Sequence, residues 1–426
     1  MRKFRYRSAT IVWMSIILVM LLMTACQQPK PSADNNSLGN HSSQENGYKA
    51  PSAPESDENL PPPSPEPYYK EARLTAVGDI MMHLPQTKAG YDVNTQTYQF
   101  DSFFTEVASL LSAGDWVIGN LETPLSDNDP RGYTGFPEFN APPELADALK
   151  TAGFNILTTA NNHALDRRER GIISTLEHVK SRHIVPIGTA ATQEEAEQLH
   201  IITHNEISMA ILAYTYGTNG IPIPEGKSYL VSLIDEQKMI DDIKKARDSE
   251  VDLVTIALHF GNEYQPLPTK EQQSLVEALF RAGADIILGS HPHVLQPYEV
   301  KEIIRNDGTL AQGIVIYSMG NFISNQDRIR NNKKPTDVGV IFEINIRKHF
   351  PEGRIEYKEI TALPTYVHKW MINGKQAYRV LPLESVLTER TDSLLKEQDF
   401  LRLDGYYQEA VRHLAAMTVP VQATLP

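Results

Sequence analysis

The sequence predicts an α/β fold with mixed sheets, on three observations. Short β-like apolar runs alternate with helical ones from about Arg73 onward. The later strand-like runs follow one another as hairpins rather than across helices. Polar residues able to bind metals fall just behind predicted strands, at their carboxyl ends. Alternation implies helices packed on parallel strands, and consecutive strands add antiparallel pairs.

The first element, residues 1–25, reads as a targeting segment. Arg2, Lys3, Arg5 and Arg7 precede an apolar run from Ile11 to Met23. A run of that length suits a secretory signal core better than a spanning helix, which needs roughly 20 apolar residues. It stops at Thr24-Ala25-Cys26, small residues before a cysteine in the manner of a bacterial lipobox. Cys26 is therefore the expected lipidation site and mature N-terminus, with an uncleaved membrane anchor as the alternative. Either places the remaining chain on the extracytoplasmic face of the cell membrane. Cys26 is the only cysteine, which excludes an intramolecular disulfide and any cysteine-built metal or redox site.

Residues 26–70 are rich in Pro, Ser, Asn and Glu and nearly free of large aliphatics. Such a stretch buries too little apolar surface to offset its ordering entropy, so a disordered tether is expected. Pro61-Pro62-Pro63-Ser64-Pro65 should be locally extended and stiff. The net charge of −13 argues against nucleic acid or anionic lipid as a general partner, since both need basic surface.

The folded region is expected over 71–385, with a helical segment, 386–426, packed on it. Strand candidates are Leu74–Val77, Trp116–Ile118, Asn155–Thr159, Ile184–Ile187, Ser208–Tyr214, Leu253–Leu258, Asp285–Leu288, Gly313–Tyr317, Val338–Ile346 and Ile355–Leu363. Helix candidates are Pro143–Ala152, Glu169–Arg182, Asp235–Asp248, Lys270–Ala282 and Asp392–Met417. No internal repeat or linker divides this region.

The residues that carry chemistry share one position, the carboxyl end of a strand, where α/β proteins place their sites. Asp79, Glu122, Asn162 with His163, His259 with Glu263, His291 with His293, and Asn321 each follow a predicted strand. Taken singly, Asp79 suits a turn or cap, Glu122 a solvated carboxylate, His163 a loop and His259 a core position. Taken together they form one donor set of carboxylates, an amide and imidazoles. Such donors suit one or two divalent ions (Mn, Fe, Zn or Mg). Two ions about 4 Å apart would clamp an oxyanion and activate water near neutral pH. An extended His291-Pro292-His293 segment would point both imidazoles into one cavity. Glu263 and Asn321 are expected behind the ligands rather than among them.

The series Gly78-Asp79, Asn120-Leu121-Glu122-Thr123-Pro124, Ala160-Asn161-Asn162-His163-Ala164-Leu165-Asp166, His259-Phe260-Gly261-Asn262-Glu263-Tyr264, Gly289-Ser290-His291-Pro292-His293 and Gly320-Asn321-Phe322 resembles the CapA family of poly-γ-glutamate capsule biosynthesis. The resemblance covers about Arg73 to Ser324. It implies a four-layered α/β/β/α sandwich of the calcineurin-like metallophosphatase type. It implies Asp79, Glu122, Asn162, His259, His291 and His293 as metal ligands, with Glu122 bridging. It also implies His163 as a general acid oriented by Asp166. The partners it implies are an anionic polymer such as poly-γ-glutamate and membrane-embedded capsule synthesis proteins.

Two positions depart from the pattern. Metallophosphatases carry Asp-x-His in the first motif, but here the third residue is Met81, and His83 takes that role only if the loop curls back. Arg168 stands where relatives often have glycine, and Arg167, Arg168 and Arg170 either line a positive rim or open a solvated helix. The expected function is hydrolysis of an anionic polymer or phosphorylated precursor. The alternatives are a non-catalytic accessory lipoprotein and an envelope phosphoesterase unrelated to capsule.

Overall fold

The computed structural model describes residues 66–127, 129–372 and 374–418. The targeting segment, Cys26 and nearly all of the expected tether lie outside the described residues.

Two sheets dominate. The first runs, in spatial order, Lys375–Pro382, Arg354–Ile372, Val338–Phe350, Tyr68–Ile80, Trp116–Leu121, Ile156–Thr158 and Val185–Ile187, with Asn321–Ile323 also paired to Tyr68–Ile80. Its last four main strands are mutually parallel, whereas Val338–Phe350 onward pair antiparallel. The second sheet orders Leu295–Ile304, Leu310–Met319, Ile286–Ser290, Leu253–His259, Ile207–Thr215 and His200–His204, with only its two outer pairs antiparallel. The sheets are mixed, as the hairpin-like later runs imply.

Three cores show how the layers stack. Leu74, Trp116, Ile118 and Phe342 of the first sheet pack with Ile211, Leu253, Ile286 and Ile316 of the second. On the outer face of the first sheet, Val77, Val117 and Leu157 meet Leu145 and Leu149 of helix Glu144–Ala152. On the outer face of the second, Val254, Ile256 and Ile287 meet Met239 and Ile243 of helix Glu236–Asp248 and Val276 and Leu279 of helix Lys270–Ala282. The architecture is an α/β/β/α sandwich. Both sheets are covered on both faces, which is why their central strands read as continuous apolar runs rather than alternating ones.

Strand parity then dictates what reaches the seam between the sheets. In Trp116–Leu121, Trp116 and Ile118 face the seam, so Asn120 and Glu122 continue that face past the strand end. In Leu253–His259, Leu253 and Ala257 face it, and His259 follows in step. Asp79 arrives by a bulge. The register to Trp116–Leu121 slips between Val77 and Asp79, so that Val77 and Ile80 both face the helix side and Asp79 turns to the seam. Gly78 is required at this bulge: a Cβ there would lie 1.9 Å from the Gly320 carbonyl oxygen.

The C-terminal reading needs correction. Instead of one helix over Asp392–Met417, the chain forms Leu383–Glu389, then Glu397–Leu414 and a short turn Ala415–Met417. Arg390 takes φ +49° and ends the first helix, and Asp392 accepts the Leu394 amide before Lys396 and Asp399 open the second. Phe400 and Leu403 pack on Leu381 and Leu383.

Candidate metal centre

The donor residues converge at one rim of the seam. Asp79, Glu122, Asn162, His163, His259, His291 and His293 are all buried. Asp79 and His293, 214 residues apart, approach to 3.0 Å between Oδ2 and Nδ1. His259 Nε2 stands 3.0 Å from Asn162 Oδ1 and 3.5 Å from Glu122 Oε1. Two ligand-like groups result, Glu122 with His291 and His293, and Asp79 with Glu122 and His259, the donor atoms of each within 4.8 Å of one another. Glu122 belongs to both.

The His291-Pro292-His293 segment is not extended. His291 takes φ +99° and His293 φ +58°, conformations that cost bulky residues of order 1–3 kcal/mol each. The bend is braced by the Tyr264 amide donating to the Pro292 carbonyl. Both imidazoles still reach the seam, through a strained turn rather than through strand alternation.

The electrostatics fit a cation. Both carboxylate oxygens of Glu122 and Nδ1 of His291 are buried with no hydrogen-bond partner. Among the described residues, no lysine or arginine pairs with Asp79 or Glu122. Burial, then the neighbouring Asp79 carboxylate, push Glu122 well above the ordinary carboxylate range. Burial also holds His259 well below its usual range and His291 down to about 3, each reinforced by the other histidines. Neutral imidazoles beside unpaired carboxylate oxygens are a donor set short of positive charge. A divalent ion at either group would satisfy it.

Around this centre lie the remaining predicted residues. His163 Nδ1 is 2.7 Å from Asp166 Oδ2, which also accepts the Phe139 amide at 2.6 Å. Asn321 stands beside Asp79 in the parallel pairing, its Nδ2 donating to the Thr336 carbonyl and its Oδ1 buried without a partner. Glu263 is exposed and falls in neither ligand group. His83 caps the helix Leu84–Gly90 and is likewise in neither group. Its Nδ1 accepts the Asn325 amide, its ring meets Phe139 edge-on, and burial holds it down to about 4. Met81 is a buried core residue, and His83 lies near enough to His293 and His163 for their charge to lower it further.

Arg167 and Arg168 are engaged within the fold, whereas Arg170 is exposed. Arg167 is buried, bonded to Thr134 and paired with Asp129 and Glu138, and Arg168 pairs with Glu138. They tie the 129–139 loop to the Asp166 turn. Arg168 takes φ +58°, the backbone a glycine adopts without strain.

Several neighbours escaped the sequence reading. Asn120 Nδ2 donates to Asp79 Oδ1 at 2.8 Å, and Ser290 Oγ sits 3.0 Å from His259 Nδ1. Tyr216 packs its ring 4.6 Å from that of His291, and Asn219 contacts both Asn162 and His163. Asn120 shares Glu122's strand face, and Tyr216 and Asn219 follow Ile207–Thr215. The same parity and strand-end logic reaches all three.

Residues 73–326 match the family of the bacterial capsule synthesis protein PGA_cap. The chain belongs to this family. Among PGA_cap relatives, it is 32% identical over 263 residues to "Capsule biosynthesis protein CapA" of Bacillus anthracis, covering 59% of this chain and 60% of that protein. It is 30% identical over 332 residues to "PGA biosynthesis protein CapA" of Bacillus subtilis (strain 168), covering 74% and 80%. Solved structures with a likeness include Haemophilus influenzae NAD nucleotidase, at 10% identity and TM-score 0.41, over 80% of this chain and 61% of that one. Another is the calcineurin-like phosphoesterase YfkN from Bacillus subtilis, at 12% identity and TM-score 0.38, over 79% and 99%.

Proposed function

We propose that this PGA_cap protein is a divalent-metal-dependent hydrolase-type domain of the outer cell surface, anchored through lipidated Cys26. Its substrate is an anionic polymer such as poly-γ-glutamate or a phosphorylated precursor of it, and its partners are the membrane-embedded capsule synthesis proteins. Among the described residues, no helix is long and apolar enough to cross a membrane, so the anchoring proposal rests on the N-terminal sequence.

The observation that carries the hydrolase reading is Glu122, buried at both oxygens without a hydrogen bond among three imidazoles and Asp79. When bound, divalent ions supply Lewis-acid polarisation of a carbonyl or phosphoryl oxygen and activate water. Asp79, Glu122, Asn162, His259, His291 and His293 would hold them. His163 does the proton work. With Nδ1 committed to Asp166, Nε2 is the ring atom left to give a proton to a leaving oxygen, and Asp166 fixes the tautomer and the ring plane. Tyr216 and Tyr264 stand beside His291 and His293 and narrow the mouth.

The accessory, non-catalytic reading has one observation in its favour, the buried Met81 in place of a histidine donor. The two readings part on one experiment. Purified protein should carry a stoichiometric transition metal, which His291→Ala or His293→Ala releases with the fold retained. His163→Ala should keep the metal and lose about 10²–10⁴-fold in turnover of phosphoesters or glutamyl polymers. Wild-type protein devoid of metal would defeat the site reading. Turnover unchanged in His163→Ala would defeat the assigned acid, and no turnover by metal-loaded wild type leaves the accessory role.

A further inference from the structure

The loop that follows Ile207–Thr215 ends its first turn directly over the donor set. Asn219 Oδ1 is 3.2 Å from Asn162 Nδ2, and Asn219 Nδ2 faces His163 Nε2 at 3.5 Å. The Tyr216 hydroxyl lies 3.5 Å from the same Asn219 oxygen. The geometry points to Asn219 as a positioning residue that decides which end of the Asn162 amide faces the cation site. This rests on the metal reading given under Proposed function.

The orientation follows from a chain of donors and acceptors. Asp166 Oδ2 engages His163 Nδ1 at 2.7 Å, which leaves Nε2 as the ring atom that faces Asn219. Asn219 stands with Nδ2 toward His163 and Oδ1 toward Asn162. Asn162 must then offer Nδ2 to Asn219, which leaves its Oδ1 turned inward, 3.0 Å from His259 Nε2. Only the oxygen end of an amide ligates a hard cation. With Asn219 absent, the Tyr216 hydroxyl remains beside Asn162, but a hydroxyl can donate or accept and does not distinguish the two ends of the amide, and the flipped amide would aim two N–H groups at the ion.

The loop is built to hold this register. Thr218 Oγ1 donates to the Ile221 carbonyl at 2.7 Å, and the Ile221 amide donates to the Thr218 carbonyl at 2.9 Å. Ile221 and Ile223 pack on the small core that contains Ala164 and Leu165, the residues immediately after His163. The two turns therefore share one apolar support. Asn219 adopts φ +51°, a left-handed conformation asparagine tolerates better than most residues.

The test uses the full chain and Mn²⁺ as probe, read by calorimetry with metal content by elemental analysis. Asn219→Gly removes the amide and keeps the backbone conformation without strain. It should weaken Mn²⁺ binding about 10–100-fold, the usual cost of losing a partner behind a metal ligand. In an Asn162→Ala background the same substitution should change nothing further, because Asn219 acts through Asn162. A merely structural loop residue would instead weaken binding equally in both backgrounds, and that result overturns the inference. So does an Asn219→Gly chain that binds Mn²⁺ like wild type, with the metal reading left intact. A wild-type chain that binds no Mn²⁺ overturns both together.

Discussion

Replacing Glu122 by glutamine isolates the charge that the candidate centre is built around. In the cation-free protein, burial and Asp79 raise the Glu122 pKa above its unfolded value. A raised carboxylate stabilises the fold fully below its unfolded pKa, and that stability is lost as pH rises toward the folded pKa. Glutamine mimics the protonated form at every pH. Glu122→Gln without metal should therefore be as stable as wild type at pH 7, or more stable. With metal the order reverses. Saturating wild type at 1,000 times Kd adds about 4 kcal/mol, while the variant gains little because both ligand groups contain Glu122. For a domain of this size that is roughly 5–8 °C in Tm. The assay is thermal unfolding of both proteins with chelator and with Mn²⁺ or Zn²⁺, followed by circular dichroism. Equal metal-induced shifts in the two proteins would refute the reasoning. So would a metal-free variant several kcal/mol less stable than wild type, which would mean that Glu122 makes a stabilising bond in the empty fold.

Other expectations follow from packing and burial. Gly78→Ala should cost at least about 3 kcal/mol in denaturant unfolding, because the new methyl would overlap the Gly320 carbonyl. Gly405→Ala, in helix Glu397–Leu414 with open space around it, should instead stabilise by about 0.5–1 kcal/mol. His368 is held down to about 4 by burial and then by Arg379. Its contribution is complete above pH 6.5 and falls away as pH drops toward 4, by about 2 kcal/mol at pH 5. His368→Gln should lose less stability between pH 7 and pH 5 than wild type, and equal losses would contradict the assigned burial effect. Asp166→Asn should retain metal and lower turnover by up to about 10⁴-fold, because it frees the His163 tautomer.

The sequence by itself determined the alternation of strands and helices, the mixed character of the sheets and most of the polar residues that meet at the seam. It did so because strand parity and strand-end position are local. Glu122 and His259 sit in step with apolar residues two positions earlier, a pattern visible without coordinates. Residues 73–326 also carry a recognisable family series. What only the tertiary structure decided were the facts that depend on a second segment. Asp79 reaches the seam through a bulge that Gly78 makes possible against the Gly320 carbonyl, and the His291-Pro292-His293 turn is held in left-handed geometry by Tyr264. Arg167, exposed in a linear reading, is buried against Asp129 and Glu138. Asn219 lies 56 residues from His163 in the chain, and only the shared packing of their two turns brings them together. Periodicity tells a residue which way to face. Which residue it faces is set by how two sheets and their loops pack, and no spacing along one strand encodes that.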